Sequence, residues 1–364
     1  MNRVGDEPVR SPGIRQGASA RRERLPRLVA GADHAGAHHG DGGRRDASYG
    51  FRAFHPEWKP ITGALPPLSA ADWAKEFELY RASPQYQLLN QGMSLGDFQF
   101  IYWWEWGHRQ LGRLIGLVML GGFLAFWAAR VIKGRMAMLT FGLGLLLALQ
   151  GTIGWIMVAS GLQPGMIAVA PVKLTLHLTF ACLFFVGLVV MAAHWGAFGA
   201  QKAGSLGLSR AAWALVLAVL AQIALGGLVA GSKAGFTYNT WPLMDGALVP
   251  PLENLARNPV FWENFVDNPT LVQFNHRLGA YLLLAFAIWH AWASRGTSVA
   301  KMARMVAAMV LLQGVLGIVT LLLVVPLWAG LAHQAMAMFV LLTAVVHAMR
   351  IAPQAETRPA GRAP

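Results

Sequence analysis

The chain has 364 residues, of which 55% are hydrophobic and 13% are charged, and its mean hydropathy is +0.44. This composition is typical of a polytopic membrane protein and excludes an ordinary soluble protein of two or three domains. The formal net charge of +13 comes mainly from basic residues at the ends of apolar runs and in short loops, so we expect no nucleic-acid partner. The single cysteine, Cys182, excludes a disulfide framework and a thiolate metal site.

The predicted elements begin with an Arg- and Gly-rich segment over residues 1–56 and an outer loop over residues 57–100. Apolar runs follow, each long enough to cross about 30 Å of hydrocarbon, which takes about 20 helical residues. The sequence therefore predicts an all-α polytopic membrane protein with membrane lipid around it. Seven runs lie near residues 106–130, 136–159, 171–193, 210–231, 271–293, 302–325 and 327–349.

The outer loop contains two helix starts of the capping-box type. Ser69 with Asp72 and Ser94 with Asp97 have the Ser-x-x-Asp spacing in which side chain and backbone cap each other. Between them, the sequence "WAKEFELYRASPQYQLL" predicts one amphipathic helix. We expect this helix to form a lid over the outer ends of the spans.

The basic residues set the orientation of the spans. The connections after the first, third, fifth and seventh runs are rich in lysine and arginine, which is typical of the cytoplasmic side. The opposite connections hold most of the acidic residues and are predicted to face outward. The C-terminus, with residues 351–364 as a short tail, is therefore predicted to be cytoplasmic.

The chain contains a tandem duplication. "HRQLGRLIG" from residue 108 matches "HRLGAYLLL" from 276, "LQGTIG" from 149 matches "LQGVLG" from 312, and "LTLHLTFA" from 174 matches "GLAHQAMA" from 330. Each half contributes three matched spans, and the second half has one more ahead of them. We predict two tandem pseudo-symmetric four-helix bundles, over 57–200 and 201–350, with eight helices expected and seven clear.

The first half lacks a counterpart of the span at 210–231. When residues 28–56 are back-translated and read from the second base of each codon, they permit an apolar sequence with "VGGATR", which is similar to "LGGLVAGS" of the second half. We therefore interpret residues 1–56 as an aberrant segment that replaces the first helix through a shifted reading frame. An ordinary disordered basic tail and a targeting segment are the alternatives.

Four histidines recur with the duplication, each near the outward end of its span. Ionisable side chains inside spans are functional candidates because burial in hydrocarbon is costly. Facing imidazoles in a helical bundle are a usual way to hold haem iron, so we predict haem-iron ligation. Zinc is the alternative, although it prefers a tetrahedral set and only Glu105 offers a further ligand. The histidines are His108, His177, His276 and His333.

Charged residues accompany the first histidine of each half. Glu105 precedes His108 by three residues, so both lie on one helical face, where the carboxylate can take up a proton. The alternative is that Glu105 only pairs with Arg109 or Arg113. Arg109 and Arg277 are placed to meet haem propionates, although they could equally extend to the membrane interface.

Other polar and small residues of the spans receive a structural interpretation. His194, His290 and His347 lie near the cytoplasmic helix ends, beside aromatic residues or arginines, and are predicted to be interfacial. Glycines of the second, fourth and sixth runs, including Gly154, Gly226 and Gly317, are interpreted as helix-packing positions without chemistry.

Several segments carry a resemblance to a known family. They are "EWKPITGALPPLS" at 57, "NQGMSLGDFQFIYWWEWGHRQLGR" at 90, "TLHLTF" at 175, "NTWPLMDG" at 239, "QFNHRLGAY" at 273 and "LAHQAMA" at 331. From about residue 57 to 350 the chain resembles the haem A synthase family, in the form found in proteobacteria and mitochondria. The segment "WWEWGHR" is the most specific of these.

The resemblance implies eight helices in two halves and oxidation of the methyl group of haem O to the formyl group of haem A, with oxygen from water, in two hydroxylations and a dehydration. It implies that His276 and His333 ligate a resident haem b, and that His108, His177 and Glu105 form the substrate site. It also implies a bacterial inner-membrane location and cytochrome oxidase assembly factors as partners. A haem O synthase and a second copy of the chain are left open as partners.

The main alternative function is a dihaem b-type membrane electron-transfer subunit. Such a carrier would gain from haems at two depths, whereas the four predicted ligands all lie toward the outside. A transporter built from repeats would need broken helices at mid-membrane, where the sequence has no polar residues. The sequence therefore favours the oxidation of haem O.

Overall fold

The computed structural model describes residues 62–161, 169–199 and 202–353. The segment 28–56, where a lost helix is predicted, lies outside these residues, as does most of the C-terminal tail. The helices are α1 (Ala70–Arg81), α2 (Pro84–Leu89), α3 (Leu95–Ala128), α4 (Gly134–Gly161), α5 (Pro171–His194), α6 (Leu206–Gly231), α7 (Leu252–Leu255), α8 (Asn264–Asp267), α9 (Pro269–Ala293), α10 (Ala300–Leu322) and α11 (Leu327–Met349).

The prediction of an all-α polytopic membrane protein is confirmed. Within the described residues, seven helices are long and apolar enough to cross a membrane, namely α3, α4, α5, α6, α9, α10 and α11. One small exception to the helical architecture is a parallel strand pair, β1 (Lys202–Gly204) with β2 (Ile351–Pro353). This pair joins the chain just before α6 to the chain just after α11.

Helix α3 begins well before the apolar run that predicted it. Its start is capped by Ser94, whose Oγ accepts the backbone N–H of Asp97 at 3.2 Å, while the Asp97 carboxylate accepts the backbone N–H of Ser94 at 3.3 Å. This capping box satisfies N–H groups that a helix start leaves without partners. The predicted cap is confirmed, and it extends α3 by several turns beyond the apolar segment.

The outer loop forms two helices where one was predicted. Ser69 caps α1 together with Asp72, as expected, but the helix stops at Arg81. Ser83 then accepts the backbone N–H of Tyr86 and starts α2, with Pro84 at the first helical position, where its missing N–H costs nothing.

An aromatic cluster attaches these outer helices to α3. Tyr80 of α1 is buried against Phe98 and Tyr102 of α3, with the Tyr80 and Phe98 rings stacked at a centroid distance of 5.2 Å. Asn90 donates to the Tyr80 hydroxyl at 2.6 Å. The outer helices therefore pack on the first turns of α3 and leave His108 exposed, so among the described residues they form no lid over that histidine.

The duplication is visible in the order of the spans, with α3, α4 and α5 corresponding to α9, α10 and α11. The main buried cluster lies where α5 and α6 meet α9, α10 and α11, and includes Cys182, Leu215, Ala287, Val306 and Leu341. Helix α6 contacts α5, α9 and α11 and so connects the two repeats. By contrast, α4 has no buried residue among those described. The core therefore sits in the second repeat and its junction with α5.

The interfacial interpretation of His290 and His347 is wrong. Both side chains are 0% exposed, and their Nε2 atoms lie 2.8 Å apart, so one ring donates and the other accepts. Helices α9 and α11 bring the two rings together inside the core, where the mutual hydrogen bond makes their burial tolerable. His194 is exposed near the end of α5, in agreement with the prediction.

Replacing one ring of this buried pair should destabilise the protein. In His347→Leu the Nε2 atom of His290 loses its partner in a buried site, which should lower the free energy of unfolding by about 1–3 kcal/mol. The double variant His290→Leu/His347→Leu should recover part of that loss. Thermal unfolding in detergent measures both, with exposed His194→Leu as the control. Strictly additive losses in the double variant would show that the rings do not interact.

Candidate haem-binding histidines

The four predicted iron ligands occupy corresponding places in the repeated spans. His108 lies in α3, His177 in α5, His276 in α9 and His333 in α11, each in the first half of its helix. His108 is exposed, whereas the other three are partly buried.

The structure brings the rings of His108 and His177 close together in an edge-to-face arrangement. Their ring centroids are 6.4 Å apart, with the ring planes at 72°. Two metal–nitrogen bonds of about 2 Å, plus about 1 Å from each nitrogen to its ring centre, require about 6 Å between the centroids. The donor set and its spacing therefore fit two imidazoles on opposite sides of one haem iron.

The buried pair, His290 with His347, has a different geometry. Each of these residues follows a predicted ligand, His276 or His333, by fourteen positions on the same helix, which places it about 21 Å further along. The 2.8 Å between the Nε2 atoms is too short for an iron between them, because two metal–nitrogen bonds need about 4 Å. The rings of His290 and His347 therefore leave no space for an iron between them.

A glutamine from the preceding span contacts three of the four histidines. Its Nε2 donates to the backbone carbonyl oxygen of the histidine and also lies against the ring. The donor–acceptor distances are 2.8 Å for Gln150 to His177, 2.9 Å for Gln222 to His276 and 3.0 Å for Gln313 to His333. The Oε1 atom of each glutamine is buried without a hydrogen-bond partner.

A glycine four residues after each glutamine faces the same ring. A Cβ atom at Gly154 would lie 2.7 Å from Cε1 of His177, and one at Gly317 would lie 2.8 Å from Cε1 of His333. At Gly226 the distance to Cε1 of His276 would be 3.3 Å.

These three glycines allow close helix approach, as predicted, and the side chain that each of them admits is a candidate ligand. The signal available in the sequence was the Gln-x-x-x-Gly spacing, which occurs at 150–154, 222–226 and 313–317, ahead of three of the histidines.

Glu105 forms an ion pair with Arg109, one helical turn further along α3. Their side chains are 15% and 14% exposed, so the pair is largely removed from water. The pairing that the sequence offered as an alternative role for Glu105 is thus present. It also holds the Glu105 carboxylate in one place, a single turn before His108.

Arg277 is engaged with the outer loop that precedes α9. Its Nη2 donates to the carbonyl oxygen of Tyr238 at 2.9 Å, and its Nη1 donates to that of Leu243 at 3.4 Å. Gln273 donates to the same Tyr238 oxygen at 3.1 Å. The Nε of Arg277 is buried without a hydrogen-bond partner, so one donor of the guanidinium stays available for a carboxylate.

A duplicated multi-span helical bundle, with histidines facing across it at iron-ligand spacing, defines a membrane protein suited to haem. Comparison with known proteins agrees with this class. Residues 55–345 match the family described as cytochrome oxidase assembly protein. This chain therefore belongs to that family, whose similar members carry the name haem A synthase.

Three relatives show the extent of the similarity, and each is named haem A synthase. One from a Methylobacterium species is 58% identical over 296 residues, which cover 80% of this chain and 82% of the relative. One from Methylorubrum populi is 56% identical over 311 residues, 84% and 81% of the two chains. One from a Bradyrhizobium species is 47% identical over 306 residues, 82% and 83% of the two chains.

Two alanine substitutions in α4 should distinguish the effect on stability of contact with the His177 ring from the effect of helix propensity. Gly151→Ala meets nothing within 4 Å and should gain up to about 1 kcal/mol from propensity. Gly154→Ala places its Cβ against the His177 ring and should lose about 1–3 kcal/mol. Apparent melting temperatures in detergent measure the difference. An equal rise in both variants would mean that the ring does not rest on Gly154.

Proposed function

We propose that this chain is a membrane enzyme that oxidises the methyl group of haem O to the formyl group of haem A during cytochrome oxidase assembly. Support comes from relatives named haem A synthase that are 56–58% identical over about four fifths of the chain. The observation that carries the proposal is the 6.4 Å spacing of the His108 and His177 rings, because it fits the axial ligands of the substrate iron.

Haem O is the substrate in this proposal, and the first repeat binds it. His108 and His177 hold the substrate iron from α3 and α5, which fixes the porphyrin between these spans. The exposure of His108 keeps one side of this site accessible, as a site that exchanges substrate for product requires.

Glu105 is the proposed proton acceptor. Oxidation of a methyl group to a formyl group with oxygen from water (–CH₃ + H₂O → –CHO + 4 H⁺ + 4 e⁻) releases protons as well as electrons to an external acceptor, so a positioned base lowers its barrier. The ion pair with Arg109 fixes the carboxylate one turn from His108. Arg109 acts on Glu105 as a positioning residue, and a guanidinium at this place is a suitable partner for a substrate propionate.

The second repeat is the proposed site of a resident haem b, held by His276 and His333. Neither ring is exposed, unlike His108 of the first repeat, which suits ligands of a permanently held group. Bound there, haem b would supply one-electron redox chemistry for removing electrons from the substrate site. Arg277 fixes the outer loop and can offer its buried Nε to a propionate.

We also propose the membrane arrangement that the charges predict. The chain is a multi-pass membrane protein placed in the bacterial inner membrane, with its C-terminus in the cytoplasm, because the basic connections lie on that side. Its partners are cytochrome oxidase assembly factors. A haem O synthase is the class of enzyme that must supply its substrate, and a second copy of the chain is a further partner to test.

The dihaem electron carrier is not favoured. It would need iron sites at two depths, and the histidine pair at the second depth is closed by its own 2.8 Å hydrogen bond. The names of the similar relatives point in the same direction.

Haem extraction from cells tests the proposed reaction. Cells that express the chain together with a supply of haem O should accumulate haem A, identified by chromatography. Glu105→Gln should lower haem A about 100-fold or more, because a general base typically contributes about 10²–10⁴ in rate. His108→Ala should abolish the product.

Glu78→Gln is the matched control, because Glu78 is an exposed glutamate of α1 whose side chain is 66% exposed. It should leave haem A at the level of the unsubstituted chain. Accumulation of unconverted haem O by the unsubstituted chain, or full haem A formation by Glu105→Gln, would contradict the proposal.

A further inference from the structure

The repeated contact between a glutamine and a histidine has no role in the function proposed so far. We define a glutamine clamp as a glutamine and the glycine four residues after it, both facing one histidine of the next span. The clamps are Gln150 with Gly154 on His177, Gln222 with Gly226 on His276, and Gln313 with Gly317 on His333. The same geometry occurs on three helix pairs, so it is not an accident of one local packing arrangement.

The orientation of each clamp amide follows from its partner. The backbone carbonyl oxygen of the histidine can only accept a hydrogen bond, so the amide must turn its NH₂ group toward it. The amide oxygen then points elsewhere, and in all three clamps it is buried with no hydrogen-bond partner. A buried acceptor without a donor is costly, so a donor that arrives with a ligand would relieve the same cost in all three clamps.

The histidine ring itself can supply that donor once iron is bound. A neutral imidazole that ligates iron through Nε2 carries its proton on Nδ1, and ligating histidines nearly always donate this N–H to an acceptor. The amide nitrogen already lies at the ring: Nε2 of Gln222 is 3.0 Å from Nδ1 of His276, and Nε2 of Gln313 is 3.2 Å from Nδ1 and 3.3 Å from Nε2 of His333. When iron is bound, a reorientation of the ring and the amide would let Nδ1–H reach Oε1 of the same glutamine.

The third clamp shows the ring in the other orientation. Nε2 of Gln150 lies 3.4 Å from Nε2 of His177, and the Nδ1 atom of His177 is buried without a partner. Within this clamp both Nδ1 of His177 and Oε1 of Gln150 lack a partner, and a hydrogen bond between them would satisfy both groups once iron holds Nε2. The glycine of each clamp removes the Cβ that would obstruct the ring.

We propose that Gln150, Gln222 and Gln313 are positioning residues for the iron ligands: each accepts the Nδ1–H of its histidine through Oε1 when haem is bound. This inference rests on the proposed function, because it requires His177, His276 and His333 to ligate iron. The hydrogen bond fixes the tautomer and plane of the imidazole and raises its basicity, which favours the oxidised iron.

The test uses the purified full chain with its resident haem and compares substitutions at Gln313. Gln313→Leu removes the acceptor, so haem affinity should fall about 10- to 100-fold. If the affinity for the oxidised haem alone falls tenfold, the midpoint potential of the bound haem rises by about 59 mV. Gln313→Glu keeps an acceptor for Nδ1–H although it loses the NH₂ donor to the His333 carbonyl oxygen, so its potential should not rise. Gln334→Leu, an exposed neighbour of His333, is the control.

A glycine pair in α10 provides a second test that leaves the amide in place. Gly317→Ala pushes the His333 ring, whereas a Cβ at Gly314 meets nothing within 4 Å. Only Gly317→Ala should change the electron paramagnetic resonance spectrum of the ferric haem. An unchanged spectrum in Gly317→Ala would overturn the ring contact on which the clamp depends.

Three outcomes separate the clamp from the function on which it rests. A rise in potential for Gln313→Leu but not for Gln313→Glu supports the clamp. Equal potentials and affinities in all Gln313 variants overturn it, provided that His333→Ala loses the low-spin haem. A low-spin haem that survives His333→Ala overturns the ligand assignment itself, and the clamp with it.

Discussion

A bilayer interior contains no water, so every buried ring nitrogen and amide oxygen of this bundle must find its partner in protein or in a ligand. The two kinds of histidine pair meet this constraint differently. The Nε2 atoms of His290 and His347 hydrogen-bond each other in a closed core, although the Nδ1 atom of each ring is buried without a partner. His108 and His177 stand apart at the separation that two iron ligands require, beside polar atoms that have no partner in the protein alone.

The duplicated sequence explains how one chain builds two sites that differ in use. Matched spans place a histidine at the same position in each repeat, and the spans before three of them add the same glutamine and glycine. The first repeat adds Glu105 beside its histidine, held by Arg109, and so would combine the proposed iron ligands with the proposed proton acceptor. At the place that corresponds to Glu105, the second repeat has Gln273, which donates to the outer loop. This difference fits a substrate site and a resident site.

Apolar length and capping spacing predicted much of the fold, because both are local properties of the chain. The seven spans follow from run length, and the starts of α1 and α3 follow from Ser69 and Ser94. The burial of His290 and the ring contact of Gly317 were missed, because each depends on which face of a helix meets another helix. Periodicity within apolar runs does not fix that face, since lipid and protein interior are both apolar.

The other site assignments depend on the proposed ligation of the haem O iron by His108 and His177 together. Electron paramagnetic resonance of the purified protein, before and after addition of haem O, tests it most directly. The account predicts that a second low-spin ferric haem with two imidazole ligands appears on addition, and that it is lost in both His108→Ala and His177→Ala while the resident haem signal remains. A second low-spin signal that persists unchanged in both variants would contradict the account.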